Sequence, residues 1–234
     1  MLLPPNLKRA ILQFRLSRWK QTARASYVLF QVSSAYVIGF FRLRPNSEDR
    51  QRAKRIYLRF KERPGSDHIA SEHALAHLSA LLRRYEVKSV LEFGAGIGTI
   101  TYLLLDVLPK RVEIVTVEQN EFCLEQLNHN ISSEERKRLS IVHEMSSNSD
   151  RSFDLVIIDG KRRHAASFMR PDTLCFAEGS RSRARQAINA ALARRGLTCS
   201  FKQYPTGVRL SWRKGLRVRE KKGCWIGAVE PLTQ

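Results

Sequence analysis

The sequence predicts an α/β fold: an open, doubly wound, mostly parallel sheet with helices on both faces, closing in an antiparallel hairpin. Three observations carry this. From residue 65 onward, apolar runs of strand length alternate with helix-length segments. Residues 89–98, Ser-Val-Leu-Glu-Phe-Gly-Ala-Gly-Ile-Gly, join a buried strand to a helix through three glycines at alternate positions. The alternation fails only at the end, where 198–204 and 223–229 read as strands with no helix between them.

The elements follow in order. Ser66 or Asp67 can cap a helix running to Leu82. A strand at 88–93 leads through the glycines into a helix at 98–108, where Thr99 to Leu105 continues without a breaker. Val112 to Val117 is a second strand (112–118), followed by a helix at 120–130. Then come a short strand at 139–143, a strand at 153–158, a helix from 161 and a strand at 173–178. A helix at 181–195 and the two final strands bring the expected sheet to seven strands.

The glycine loop is the most informative stretch. Glycine is needed where the backbone turns sharply and a ligand must approach without a Cβ in the way. The helix N-terminus beyond it offers unpaired N–H groups. Gly94 and Gly96 fit a dinucleotide fingerprint, but its sixth position is Thr99. The spacing is instead G-x-G-x-G through Gly98, with Glu92 two residues ahead of it. Glu118 ends the second strand 24 positions after Gly94, close to the roughly 20 expected for an acid that accepts ribose hydroxyls.

Glu92, Gly94, Ala95, Gly96 and Gly98 resemble motif I of the class I S-adenosylmethionine-dependent methyltransferases, whose fold is Rossmann-like. The resemblance covers about residues 65–230. It implies that Glu92 helps hold the methionine amine of S-adenosyl-L-methionine and that Glu118 holds the ribose. It also implies adenine contacts near the end of the third strand, where Glu144 and Ser146 are candidates and Met145 either covers adenine or fills the core.

The fourth strand, Phe153 to Ile158, ends in Asp159-Gly160, then Lys161-Arg162-Arg163-His164. This run resembles small-molecule O-methyltransferases, and the resemblance makes Asp159, Lys161 and His164 the catalytic candidates. Methyl transfer depends mostly on positioning, and a base matters where an acceptor hydroxyl must lose its proton. Catechol-type relatives continue with Asp-Asn after the fifth strand. Here Glu178-Gly179 follows Ala177, so a divalent metal held by Asp159 and Glu178 is possible but not favoured, and Glu178 reads rather as a structural or substrate-facing carboxylate. His73 and His77 lie four apart on one helix face, a possible metal pair, but there is no H-E-x-x-H pattern and no third ligand is evident, so a metal role is not expected. They read as helix residues near the cofactor mouth.

Charge divides the chain. The net charge of +19 splits into +12 over residues 1–63, −6 over 64–160 and +13 over 161–234. Such flanks attract anions: acidic metabolites, lipid-linked intermediates or RNA. The last stretch clusters Arg209, Arg213, Lys214, Arg217, Arg219, Lys221 and Lys222 between the final strands. The four cysteines are widely spaced and form no C-x-x-C pair, which points to reduced thiols and a cytoplasmic protein.

Residues 1–63 read as a separate, basic, partly apolar helical region, and 64–234 as the methyltransferase-like domain. Residues 6–24 can be helical with a poor amphipathic pattern. Residues 27–41 are the most apolar stretch, but 15 residues fall short of the ~20 needed to span a bilayer. They read as a packing helix, with peripheral membrane contact through 6–44 as the other reading.

The functional expectation is a methyltransferase acting on the oxygen of an anionic or membrane-proximal small molecule. The alternatives are a 2′-O RNA methyltransferase and a non-catalytic cofactor-binding adaptor. The fourth strand lacks the N-P-P-Y tetrapeptide of amino-group methylators and the Pro-Cys of cytosine-C5 enzymes.

Overall fold

The computed structural model describes residues 43–146, 150–159, 163–179, 182–206, 208–211, 217–220 and 223–232. The expectations for residues 6–24 and 27–41 lie outside these residues, as do Lys161, Arg162, Arg213, Lys214, Lys221 and Lys222.

Helix α1 spans Ser47–Lys61. Asn46 caps it: its side chain accepts from the Asp49 amide at 2.8 Å, and Asp49 accepts from the Asn46 amide at 3.0 Å. A 3₁₀ turn at Ser66–His68 precedes α2, Glu72–Arg84. The expected single helix from Ser66 is therefore two pieces. Ser71 is the cap of the longer one, accepting from the Ala74 amide at 3.3 Å, and Ile69 and Ser71 are extended in the gap between the two pieces.

Strand β1 (Ser89–Phe93), α3 (Thr99–Val107), β2 (Glu113–Val117) and α4 (Glu121–Asn130) follow. After a short α5 (Ser133–Arg136) come β3 (Leu139–Val142), β4 (Leu155–Ile158), a 3₁₀ helix (Arg163–Phe168), β5 (Leu174–Glu178) and α6 (Ser182–Ala193). The remaining strands are β6 (Leu197–Cys199), β7 (Lys202–Tyr204), β8 (Val208–Ser211), β9 (Arg217–Glu220) and β10 (Cys224–Pro231).

The main sheet runs β3-β2-β1-β4-β5-β10, with β6 and β7 sharing the far edge of β10. β1 to β5 are parallel, and β10 is antiparallel to β5, β6 and β7. The expected strand 198–204 is thus two short strands. The break falls where Ser200 and Phe201 press against Gly227, at which a Cβ would stand 2.9 Å from the Ser200 carbonyl oxygen. The basic stretch between the final strands contains a separate two-stranded ribbon, β8–β9.

Alternation along each strand builds a core on both faces. Val90, Ile114, Leu155, Ile157 and Phe176 meet α1, α2 and α3 through Ile56, Phe60, Leu78 and Leu103. Leu91, Phe93, Val115, Val156 and Ile158 meet the other layer through Phe168, Ile188 and Leu192. Helix α1 shares the first core, so the last part of region 1–63 packs on the methyltransferase-like domain. Its one fully buried charge, Asp49, accepts from Ser79 Oγ at 2.8 Å and from Arg83 Nη2 at 2.9 Å.

Candidate functional site

The glycine loop leaves β1 at the carboxyl edge of the sheet, where open α/β folds bind ligands. Gly94, Gly96 and Gly98 have φ of 85°, 55° and 95°, the left-handed region that only glycine enters freely. Gly94 has a second constraint: a Cβ there would stand 2.2 Å from the Asp159 carbonyl oxygen. The end of β4 can approach the loop this closely only because residue 94 has no Cβ.

Two acids frame the loop. Glu118 accepts from the Gly96 amide at 2.8 Å through Oε2, and from the Gln119 and Asn120 amides at 2.8 and 2.9 Å through Oε1. It is thereby a rigid, buried acceptor at the tip of β2. Glu92 is fully buried, and its Oε2 accepts from Thr101 and Thr116 hydroxyls, each at 2.7 Å. Its Oε1 is buried with no hydrogen-bond partner. Burial raises the Glu92 carboxyl to about 7; the two threonines oppose that rise, and the nearby charges of Asp159 and Glu118 add to it.

A cavity of about 420 Å³ opens beside these groups, within the range of small-molecule sites. Gly94, Gly96, Thr99 and Asp159 line one side; His68, Asn120 and Phe122 line others. The Phe122 ring is 47% exposed, an apolar plate at the rim.

Gly94, Ala95, Gly96 and Asp159 therefore meet at one cavity, with Glu92 and Glu118 supporting its loop. Gly98 begins α3 as its left-handed cap residue. Glu144 and Ser146 are exposed after β3 and are not among the described residues lining the cavity. Met145 is buried in the second core beside Phe93 and Val117, so it fills the core. His164 packs edge-on against Phe93, with ring centroids 5.3 Å apart, and is also not among the lining residues. Lys161 lies outside the described residues.

Sequence reasoning missed Asn120, Phe122 and His68. The first two follow directly on Glu118, and Asn120 caps α4 by accepting from the Cys123 amide at 3.1 Å. That cap was a readable signal, whereas the approach of His68 depends on the 3₁₀ turn.

Residues 68–160 match the family described as methyltransferase small domain. Among curated proteins, none matches the sequence. Three solved structures share the fold. A candidate O-methyltransferase of Klebsiella pneumoniae is 18% identical, with 84% of this chain and 96% of that chain covered and a TM-score of 0.50. A candidate RNA methyltransferase of Pyrococcus horikoshii is 17% identical, with 78% and 98% covered and a TM-score of 0.53. A precorrin-6y C5,15-methyltransferase of Geobacter metallireducens is 12% identical, with 72% and 92% covered and a TM-score of 0.54. These likenesses establish fold, and the matched segment is the one that carries Glu92, the glycines, Glu118 and Asp159. Residues 68–160 are thus similar to the methyltransferase small domain, and the described residues share the fold of these methyltransferase structures.

Proposed function

We propose that the protein transfers the methyl group of S-adenosyl-L-methionine to an oxygen of an anionic small molecule. The observation that carries the cofactor half is Glu92 Oε1, a buried carboxylate oxygen without a partner beneath a glycine loop. A buried acceptor of this kind calls for a donor, and an ammonium group supplies one with the right charge. Glu118 and Asp159 add negative potential, which suits a ligand carrying both an ammonium and a sulfonium. When bound, that cofactor supplies an electrophilic methyl carbon.

The acceptor half rests on the far edge of the sheet. Arg185 on α6 stacks over the Trp225 ring, its guanidinium carbon 3.3 Å from the ring centroid. Arg185 Nη1 and Trp225 Nε1 are both buried donors without acceptors. Trp225 pairs with Ala177 near the carboxyl end of β5, at the same sheet edge as Asp159. A carboxylate or phosphate on the acceptor would satisfy both donors. Asp159 lines the cavity and is assigned to the acceptor side, with Lys161 and His164 the candidate bases.

RNA is the second reading, supported by the β8–β9 ribbon, which sets Arg209 directly across from Arg219. The test is methyl transfer from labelled cofactor to hydroxylated carboxylates and phosphates, beside RNA. Label on the small acceptors supports the proposal. Label on RNA alone, with binding that falls steeply as salt rises, replaces it with the second reading.

A further inference from the structure

We propose that His73, His77 and Cys224 form a binding site for a zinc-type transition metal, outside the cofactor cavity. The two histidines sit one turn apart on α2, and the third donor arrives from the start of β10, about 150 residues later. One ligand atom from each lies within 4.8 Å of the other two. Around a tetrahedral zinc, with bonds of about 2.0–2.3 Å, ligand atoms stand roughly 3.3–3.8 Å apart. Only a modest closure of the three side chains is required.

The hydrogen bonds orient both rings. His73 Nε2 lies 3.0 Å from the Tyr204 carbonyl oxygen, and His77 Nδ1 lies 2.9 Å from the His73 carbonyl oxygen. Both nitrogens face acceptors and so carry the proton. The lone pairs are left on His73 Nδ1 and His77 Nε2. A ring N–H given to a backbone carbonyl is the arrangement that fixes metal-ligating histidines.

The site's chemistry selects the metal. Two imidazoles and one thiolate suit a borderline cation such as zinc better than magnesium or calcium. On binding, a metal–sulfur bond forms and the Cys224 proton leaves to solvent. The fourth position falls to water or to Glu178, which stands across from Cys224 in the β5–β10 pairing. The three ligands His73, His77 and Cys224 all lie outside the Asp-Asn position of catechol-type enzymes, which Glu178-Gly179 occupies here. The metal would pin α2 to β10 beside the carboxyl end of β5. It is argued independently of the methyl-transfer reading.

The test is cobalt and zinc titration of the chelator-treated full chain. The expected result is one cobalt per chain with a thiolate-to-cobalt charge-transfer band and the intense visible bands of tetrahedral cobalt. Zinc should displace that cobalt and raise the melting temperature. Cys224→Ser should abolish the charge-transfer band, and His73→Ala should weaken zinc by more than about 100-fold. His73 is only partly buried, so that variant keeps the test valid if the Cys224 variant fails to fold. A chain that binds no stoichiometric cobalt, or a folded His73→Ala with wild-type zinc affinity, would overturn the proposal.

Discussion

Glu118 at the tip of β2 holds the amide of Gly96 in the middle of the glycine loop, at 2.8 Å. One carboxylate thereby fixes the loop, and in the proposed function it also accepts the cofactor's ribose hydroxyls. Glu118→Ala removes both roles. Hydrogen bonds to a charged acceptor contribute about 1.5–3 kcal/mol each. Calorimetry should therefore show cofactor affinity falling by about 100-fold or more, with the melting temperature changed far less.

Gly94 tests the loop's geometry. Alanine there combines a φ of 85° with a Cβ 2.2 Å from a carbonyl oxygen. Backbone strain alone costs about 1–3 kcal/mol, and the clash adds to it. Thermal unfolding of Gly94→Ala should show a loss of at least about 5 °C. Cofactor binding should disappear, because the strand tip carrying Asp159 must move.

Glu92 gives the site a pH dependence whose sign is fixed. Its folded-state pKa of about 7 lies above the usual 4.5, chiefly because it is buried. Between those values the unfolded chain has released a proton that the folded chain keeps. Glu92 therefore favours folding most below pH 4.5, and that contribution declines as pH rises towards 7. An ammonium ligand needs the ionised form. Binding should be about tenfold weaker at pH 6 than at pH 8, with a proton released on binding near pH 6. Calorimetry in buffers of different ionisation enthalpy reads both. An affinity flat across this range would remove Glu92 from the role.

Asp49 predicts the opposite pH trend. Burial pushes its carboxyl up, but Arg83, the Asn46 amide and Ser79 outweigh that and hold it below its ordinary value of 3.8. Its stabilisation is full above the unfolded pKa and is lost as pH falls through the folded one. Asp49→Ala should destabilise by about 2–3 kcal/mol, since Ser79 is left buried without its acceptor while Arg83 can reach water. Denaturant unfolding at pH 7 measures this.

Arg185→Ala separates acceptor binding from cofactor binding. The KM for an anionic acceptor should rise by about 10–100-fold, with cofactor affinity unchanged. An unchanged KM would remove the Arg185–Trp225 pair from the acceptor site.

What the sequence made readable was local. The strand 89–93, its alternate glycines and the acid after 113–117 follow from patterning and from the backbone needs of a tight turn. The helix start at Ser71 was misread because Ile69 and Ala70 prolong the apolar pattern while the backbone is extended at Ile69 and again at Ser71. The break at 200–201 depends on Gly227, a contact between distant strands. Met145 could have faced a ligand or the core, and only the packing around Phe93 assigns it. Cys224 reaches His73 and His77 for the same non-local reason: β10 returns between β5 and the pair β6 and β7.

The central claim is tested most directly by calorimetric titration of the purified chain with S-adenosyl-L-methionine, beside Gly96→Arg. Gly96 has φ of 55° and lines the cavity, and nothing lies within 4 Å of where its Cβ would be. Arginine there enters the ligand's space rather than the core. The account predicts micromolar binding by the wild type and none by a variant that remains folded. A well-folded wild type that binds no cofactor would contradict it.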